Sequence, residues 1–288
     1  MKKILFLTDN FPPETNAPAT RTFEHAKIWV SRGCSVTVIT CFPNFPTGKI
    51  YDGYKNSLFK NEIIEGIRVI RVWSYITPNS GVFKRTLDYI SFGISSFIAS
   101  FFVRFDIIIG TSPQFFTAVS TYMISKFRFS PWIMEVRDIW PESIRAVGAI
   151  KDGLLYKFLE KIEIILYKSA TKIIVVTDSF KKNITAKGID SNKIYIHKNG
   201  IINDNLQKRK ITRSLKKIHK IEDKIIFAYI GTHGMAHKLD FILLNIKSVQ
   251  KIIPKAFFLF IGDGSEKKKL TKIIKSNSIQ NILFLDGM

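Results

Sequence analysis

Short runs of β-branched and other apolar residues recur along the chain, separated by stretches whose apolar positions return every three or four residues. The early runs are Lys3–Thr8, Ser35–Thr40, Ile67–Trp73, Asp106–Gly110, Trp132–Val136, Lys172–Thr177 and Lys193–His197. They are near-continuous rather than alternating, which predicts strands buried on both faces in a parallel sheet with helices on either side. After Asn199-Gly200 the chain passes through 203–223, rich in Lys and Arg and without a strand pattern. A second set of runs follows, Lys224–Gly231, Ala256–Gly262 and Asn281–Leu285, with helical periods over Leu239–Ile252 and Ser265–Ser276. The expected organisation is α/β: a doubly wound unit over 1–202, a basic linker over 203–223 and a shorter, incomplete unit over 224–288.

One segment breaks the pattern. Ile90–Val103 is apolar at nearly every position, with Lys84-Arg85 before it and Arg104 after it. Its fourteen or so residues fall short of the ~20 that a bilayer crossing needs. Two readings remain: a helix buried between strands, or an edge whose Phe92, Phe97, Phe101 and Phe102 dip into a membrane interface.

Charge narrows the partners. The 288 residues carry 44 Lys and Arg against 23 Asp and Glu, an excess of +21. That suits an anionic partner such as acidic lipid, a phosphorylated small molecule or nucleic acid, or simply a solvated basic surface. Cys34 and Cys41 stand at the two ends of one predicted strand, too far apart to be bridged, so a reduced, cytoplasmic protein is expected. The apolar run at the start is too short for a signal peptide and reads as a first strand.

Ligands of doubly wound sheets bind beyond the carboxyl ends of the strands, so the loops there are the candidates. Asp9–Thr20 carries three prolines and lacks the Gly-x-Gly-x-x-Gly spacing of a dinucleotide site. It reads either as a rigid connection or as the wall of a substrate cleft, where Asn16 and Ala17 admit a phosphate to a helix starting near Ala19. In Glu135–Ser143, Arg137, Asp138 and Glu142 supply polar groups, and Trp140-Pro141 supplies a stiff ledge for a sugar ring; the alternative is an Arg137–Asp138 ion pair closing a strand. Gly231-Thr232-His233-Gly234 opens a strand-to-helix turn, with Lys238 available to a diphosphate. Gly262-Asp263-Gly264 ends the adjacent strand and is either a plain turn or the other half of a nucleotide pocket. His233 and His237 are four apart, but no Glu follows His233, so no metal site is expected there.

Absences exclude several chemistries. The chain has no P-loop, no Asp-x-Asp, no Gly-x-Ser-x-Gly and no Cys-x-x-Cys.

The stretches KILFLTDNFPPETNAPATR, SRGCSVTVIT, VRDIWPES, VVTDSFKKNITAKGI, HKNGI, FAYIGTHGMAHKLD and FLFIGDGS resemble the family 4 retaining glycosyltransferases. VRDIWPES is the most specific and points to the bacterial O-antigen and capsule branch that includes N-acetylfucosaminyltransferase-like enzymes. The resemblance implies a GT-B-like fold of two Rossmann-like doubly wound units, with the acceptor held by the first and a UDP-sugar by the second. It implies no metal and no cofactor, the leaving diphosphate being stabilised by cations and helix N-termini. Asp138 is then the catalytic position, orienting the transferred sugar or the acceptor. Arg137, Trp140 and Glu142 stand on the acceptor side, and Asn16 and Ala17 border phosphate and acceptor. Gly231, Thr232, Lys238, Gly262, Asp263 and Gly264 bind the donor. Two departures stand out: Thr232 and His233 occupy the place where many relatives have an Arg, and the Glu-x7-Glu element of the family would fall beyond Met288, so a C-terminally truncated form is expected.

The leading reading is a transferase that passes a sugar from a UDP-sugar to a polyprenyl-diphosphate-linked saccharide in surface polysaccharide assembly. It is expected in the cytoplasm, peripheral on the anionic inner face of the cell membrane. The alternatives are an inactive remnant that only binds acceptor or partner, and a nucleic-acid binder, which the lack of any recognition module argues against.

Overall fold

The computed structural model describes residues 1–77, 82–112, 114–148, 150–200 and 215–286. The chain divides into two compact units, Met1–Gly200 and Ile201–Met288.

In the first unit the order is β1 (Lys3–Leu7), α1 (Ala17–Ser31), β2 (Ser35–Cys41), β3 (Phe59–Ile64), β4 (Ile67–Val72), α2 (Val82–Ser100) and β5 (Ile107–Thr111). There follow α3 (Phe115–Phe127), β6 (Trp132–Val136), α4 (Glu142–Ala146), α5 (Leu154–Ser169), β7 (Lys172–Val175), α6 (Asp178–Ala186) and β8 (Ile194–Ile196). The sheet order is β3-β4-β2-β1-β5-β6-β7-β8, parallel throughout except for β3, which pairs antiparallel with β4. All seven strands expected here form, so the doubly wound reading holds. The eighth, β3, lies on the edge with most of its residues exposed. Its Phe-Lys-Asn-Glu-Ile-Ile run has too few apolar positions to announce a strand, and the Glu65-Gly66 turn, with both residues at positive φ, folds it back on β4.

Two apolar layers hold the sheet. Leu5, Leu7, Ile39, Ile108, Trp132, Met134 and Val175 face one layer with Phe92, Phe115, Ile124 and Leu166 from α2, α3 and α5. Phe6, Val36, Val38, Val69 and Ile109 face the other, beneath α1. The buried face of α1 is small, Ala19, Thr22 and Ala26, which brings that helix close to the sheet.

The second unit contains α7 (Leu215–Ile218), β9 (Ile225–Ile230), α8 (Leu239–Ile252), β10 (Ala256–Ile261), α9 (Lys267–Ser276) and β11 (Ile282–Leu285). Its three strands are parallel in the order β11-β10-β9. Leu243, Ile246, Phe258, Phe260 and Leu270 form its core. Positions 203–214 of the expected linker lie outside the described residues, as do Gly287 and Met288. Both thiols, Cys34 and Cys41, are free.

Among the described residues, no helix is long and apolar enough to cross a membrane. Most of the segment expected over Ile90–Val103 belongs to the longer α2, with Phe101–Val103 just past its end, and its faces differ from the expectation. Phe92 is fully buried and Phe97 packs against the core, so neither reaches outward; Phe101 and Phe102 are exposed.

Candidate active site

The carboxyl ends of β1, β5 and β6 carry the candidate groups of the first unit. Asn16 is the N-cap of α1: its Oδ1 accepts from the Ala19 amide at 2.8 Å, and its Nδ2 donates to Asn10 Oδ1 at 2.8 Å. Ala17 is the first helical residue, so the helix starts two residues before its expected position. The cap side chain already satisfies one of the free amides at this helix end.

Beyond β6, Arg137 does not pair with Asp138. Its guanidinium donates to Glu135 Oε1 at 2.5 Å and to Asn199 Oδ1 at 2.7 Å. Glu135 is the hub of the region. Arg21 lies 3.4 Å from its Oε2, His25 3.5 Å from its Oε1, and Arg21 also donates to Thr111 Oγ1 at 3.0 Å. Burial alone would raise the Glu135 carboxyl, but the His25 hydrogen bond and the charges of Arg21 and Arg137 outweigh it and hold it well below the usual carboxylate range. Burial in turn lowers Arg21 to about 10, against the pull of Glu135. His197 meets the His25 ring edge-on at 5.8 Å.

Ser112 fastens the start of the Asp138 loop. Its hydroxyl accepts from the Arg137 amide at 2.8 Å and lies 3.3 Å from both the amide and the carbonyl of Asp138. The Asp138 residue is half-buried. Trp140 lies against Phe115, ring centroids 4.3 Å apart and 30° from parallel, so one face of the expected ledge is already covered by protein. Glu142 accepts from Asn183 at 3.1 Å, with Lys187 at 3.8 Å, and ties α4 to α6.

Asp9, at the end of β1, is buried and accepts from Thr117 Oγ1 at 2.6 Å. Burial raises it to about 8, so its carboxyl keeps a proton at neutral pH.

In the second unit, the Gly231 and Gly262 turns come together because β9 and β10 pair in parallel with Ile230 opposite Ile261. The approach is close. A Cβ on Gly262, at φ 144°, would stand 2.0 Å from the Gly231 carbonyl oxygen, and one on Gly264 would stand 2.5 Å from that of His233. The His233 amide donates to the Asp263 carbonyl at 2.8 Å, locking the two turns together. Asp263 Oδ1 accepts from the Gly264 amide at 2.7 Å, and the Thr232 carbonyl accepts from Tyr229 at 2.8 Å. The His233 side chain lies beneath, fully buried, with neither ring nitrogen hydrogen-bonded and its ring 5.4 Å from that of Phe284. Burial first and the nearby Lys267 second push its pKa down, so the imidazole is neutral.

Lys238 is exposed, in a left-handed conformation at the N-cap of α8. The structure adds a second cation at this turn, Lys267. That ammonium donates to the Gly262 carbonyl at 2.8 Å and to Asp286 Oδ1 at 2.5 Å. An open hollow of about 560 Å³ beside the turn is lined by Asp263, Gly264, Ser265, Lys267, Lys268 and Thr271. The signal for Lys267 is its place three residues after Gly264, at the first position of α9, but it sits in a run of three lysines.

Comparison with known proteins gives a consistent family. The Glycosyl transferase 4-like domain matches residues 16–200. The probable glycosyltransferase WbjE of Pseudomonas aeruginosa is 23% identical over 182 residues, 62% of this chain and 44% of that protein. The uncharacterized glycosyltransferase MJ1059 of Methanocaldococcus jannaschii is 31% identical over 145 residues, 49% of this chain and 36% of that one. The chain thus spans less than half the length of these two relatives. Among solved structures, HepE of Anabaena in complex with UDP-glucose superposes with a TM-score of 0.67 at 13% identity, over 100% of this chain and 70% of HepE. At that identity the likeness is one of fold, and it agrees with the expected GT-B class.

Proposed function

The chain belongs to the Glycosyl transferase 4-like domain family, and on that premise we propose that it transfers a sugar from a UDP-sugar to a polyprenyl-diphosphate-linked saccharide, with retention of anomeric configuration. The observation that carries the proposal is the paired glycine turn of the second unit. Gly231, Gly262 and Gly264 leave backbone without side chains at the carboxyl ends of two parallel strands, beside Lys238 and Lys267. Such an edge lets a diphosphate come close to the backbone, where the two lysines meet the charge that grows on the departing nucleoside diphosphate. Thr232 and Asp263 border the same turn.

On the first unit, Asp138 is assigned to orienting the transferred sugar or the acceptor hydroxyl. Ser112 fixes its backbone, and the Arg21–Glu135–Arg137 cluster fixes the strand end it leaves. Arg137, Trp140 and Glu142 shape the acceptor side, and the Asn16–Ala17 helix start borders phosphate. WbjE is named a probable glycosyltransferase and HepE was solved with UDP-glucose; both support a sugar-nucleotide donor for this chain. The VRDIWPES stretch supports the O-antigen and capsule branch, with N-acetylfucosaminyltransferase-like relatives. Residues 1–202 are assigned to the acceptor and 224–288 to part of the donor site, and the enzyme to the cytoplasmic face of the membrane that holds its acceptor.

A second reading is binding without turnover. The chain spans 70% of HepE and less than half of the two relatives.

One experiment separates the two. Titration calorimetry with UDP and UDP-sugars, followed by transfer to a synthetic polyprenyl-diphosphate saccharide, is expected to show donor binding that Lys267→Ala weakens about tenfold and transfer that Asp138→Ala abolishes. Donor binding without transfer selects the second reading. Absence of any UDP or UDP-sugar binding overturns the transfer reading.

A further inference from the structure

Helix α2 sets Phe92 and Phe97 inward yet leaves a second apolar side in water. The side that meets α3 carries small and polar residues. Ser96 and Ser100 are buried, the Ser96 and Ser120 hydroxyls lie 3.2 Å apart, and the Gly93 carbonyl accepts from both, at 3.0 and 2.8 Å. Gly93 lets the helices approach closely: a Cβ there would stand 3.4 Å from the Phe116 carbonyl oxygen. The opposite side is apolar and open to solvent. Phe83 is 75% exposed, Ile94 57%, Ile98 56% and Phe102 79%, with Leu87 and Phe101 completing the stripe.

The spacing of 83, 87, 94 and 98 follows the helical period, so they form one line along α2, which Phe101 and Phe102 continue in the turn just after it. From Phe83 to Ile98 it runs about 22 Å. A water-soluble helix places such residues inward and its serines outward. Here hydroxyls satisfy one another in the interior, while side chains that gain most from leaving water remain in it.

Charge selects the medium that would cover this line. Exposed Lys84 and Arg85 stand at the start of the stripe and exposed Arg104 just past its end; Lys126 and Phe127 are exposed at the end of the neighbouring α3. Phe129, just beyond, is 96% exposed. Arg128, between the two phenylalanines, donates to the last carbonyls of the α2 turn at Ser100, Phe101 and Val103, so it pins the two helix ends together. Within the exposed stripe itself every residue is apolar. Basic residues framing an apolar line of this length fit an interfacial helix that lies flat, its rings in the acyl boundary and its cations at anionic headgroups.

We propose that the outer face of α2, from Phe83 to Phe102 and extended by Phe127 and Phe129, is the surface by which this protein docks on an anionic bilayer. The inference rests on the lipid-linked acceptor reading for its purpose, and on the geometry of α2 alone for its existence. It replaces the sequence expectation in one respect: Ile94 and Ile98, rather than Phe92 and Phe97, enter the lipid.

Flotation of the full chain with phosphatidylcholine vesicles, with and without phosphatidylglycerol, tests it. Wild type is expected to float with the anionic vesicles and to be released by salt. Ile94→Glu combined with Ile98→Glu is expected to weaken binding about tenfold or more, with an unchanged melting temperature because both positions are already in water. Phe241→Glu, on an exposed position of α8, is expected to float like wild type. Lys84→Glu combined with Arg104→Glu is expected to remove only the preference for phosphatidylglycerol. Flotation of the Ile94/Ile98 variant at the wild-type level overturns the proposal. So does a wild type that ignores vesicles and self-associates through this face, which assigns the stripe to a second copy of the chain. The enzymatic reading fails separately: a protein that docks through α2 yet transfers nothing to a lipid-diphosphate acceptor keeps the surface and loses the reaction.

Discussion

The strand ends of the two units are shaped by opposite means. In the first, long side chains do the shaping: Arg21, His25, Arg137 and Asn199 converge on or around Glu135, and Asn16 caps its own helix. In the second, side chains are excluded, and the Gly231 and Gly262–Gly264 turns touch backbone to backbone. The first edge is therefore cross-linked by ion pairs and hydrogen bonds that hold its groups in place, although Glu135 Oε2 and the Nε atoms of Arg21 and Arg137 have no hydrogen-bond partner. The second brings two lysines beside backbone that no side chain screens, with the amides of Gly231, Gly262 and Gly264 already donating within the unit and Lys267 paired with Asp286. A ligand that must be gripped by charge and one that must be positioned by shape call for these two kinds of edge.

That contrast can be broken experimentally, and the tryptophans make it simple to follow. Trp29, Trp73, Trp132 and Trp140 all belong to the first unit, so their fluorescence follows it alone, while amide hydrogen exchange over β9–β11 follows the second.

The largest effect is expected from Gly262→Ala, which forces a methyl into the Gly231 carbonyl. It should cost the second unit more than about 3 kcal/mol, seen as lost exchange protection in β9–β11 with the tryptophan melt unchanged. Next is Glu135→Gln, which leaves two buried guanidiniums around a neutral amide and should lower the denaturant stability of the first unit by about 3 kcal/mol at neutral pH. Because the native carboxyl lies below its unfolded range, this difference is full above the ordinary carboxylate pKa and shrinks as pH falls through and below it.

Asp9 has the opposite sign. Its native value of about 8 exceeds the unfolded 3.8, so wild-type stability falls as pH rises between them. Asp9→Asn, which keeps an oxygen for Thr117, should gain on wild type over that window by on the order of a few kcal/mol. The smallest effect is Asn16→Ala, about 1 kcal/mol from a lost cap. A thermal melt followed by tryptophan fluorescence reads it.

How much of this was legible in the sequence differs by interaction range. Strands such as Trp132–Val136 and Ala256–Ile261 were visible because burial on both faces demands unbroken apolar runs. The edge strand β3 was not, since one exposed side and an open edge relax that demand. Gly231 and Gly262 were found by their places after strands, and parallel pairing then brought them together. Glu135 escaped as a hub because Arg21 and His25 reach it from more than one hundred residues away, over α1. The orientation of α2 was hidden by its composition: with apolar residues on nearly every face, the periodicity cannot show which side packs, and Gly93 and Ser96 decide it only once α3 is present.

The open edges of the two sheets will also govern how the protein behaves at high concentration. In the first unit one edge is the hairpin strand β3, interrupted by Lys60, Asn61 and Glu62, and the other is β8, three residues long; neither offers a stranger much to pair with. Among the described residues the β9 edge of the second unit has no such guard, with Ile225, Phe227 and Ile230 all exposed. Colloidal instability should therefore begin at β9, and a charged residue placed at Phe227 is the change that would keep stored solutions clear.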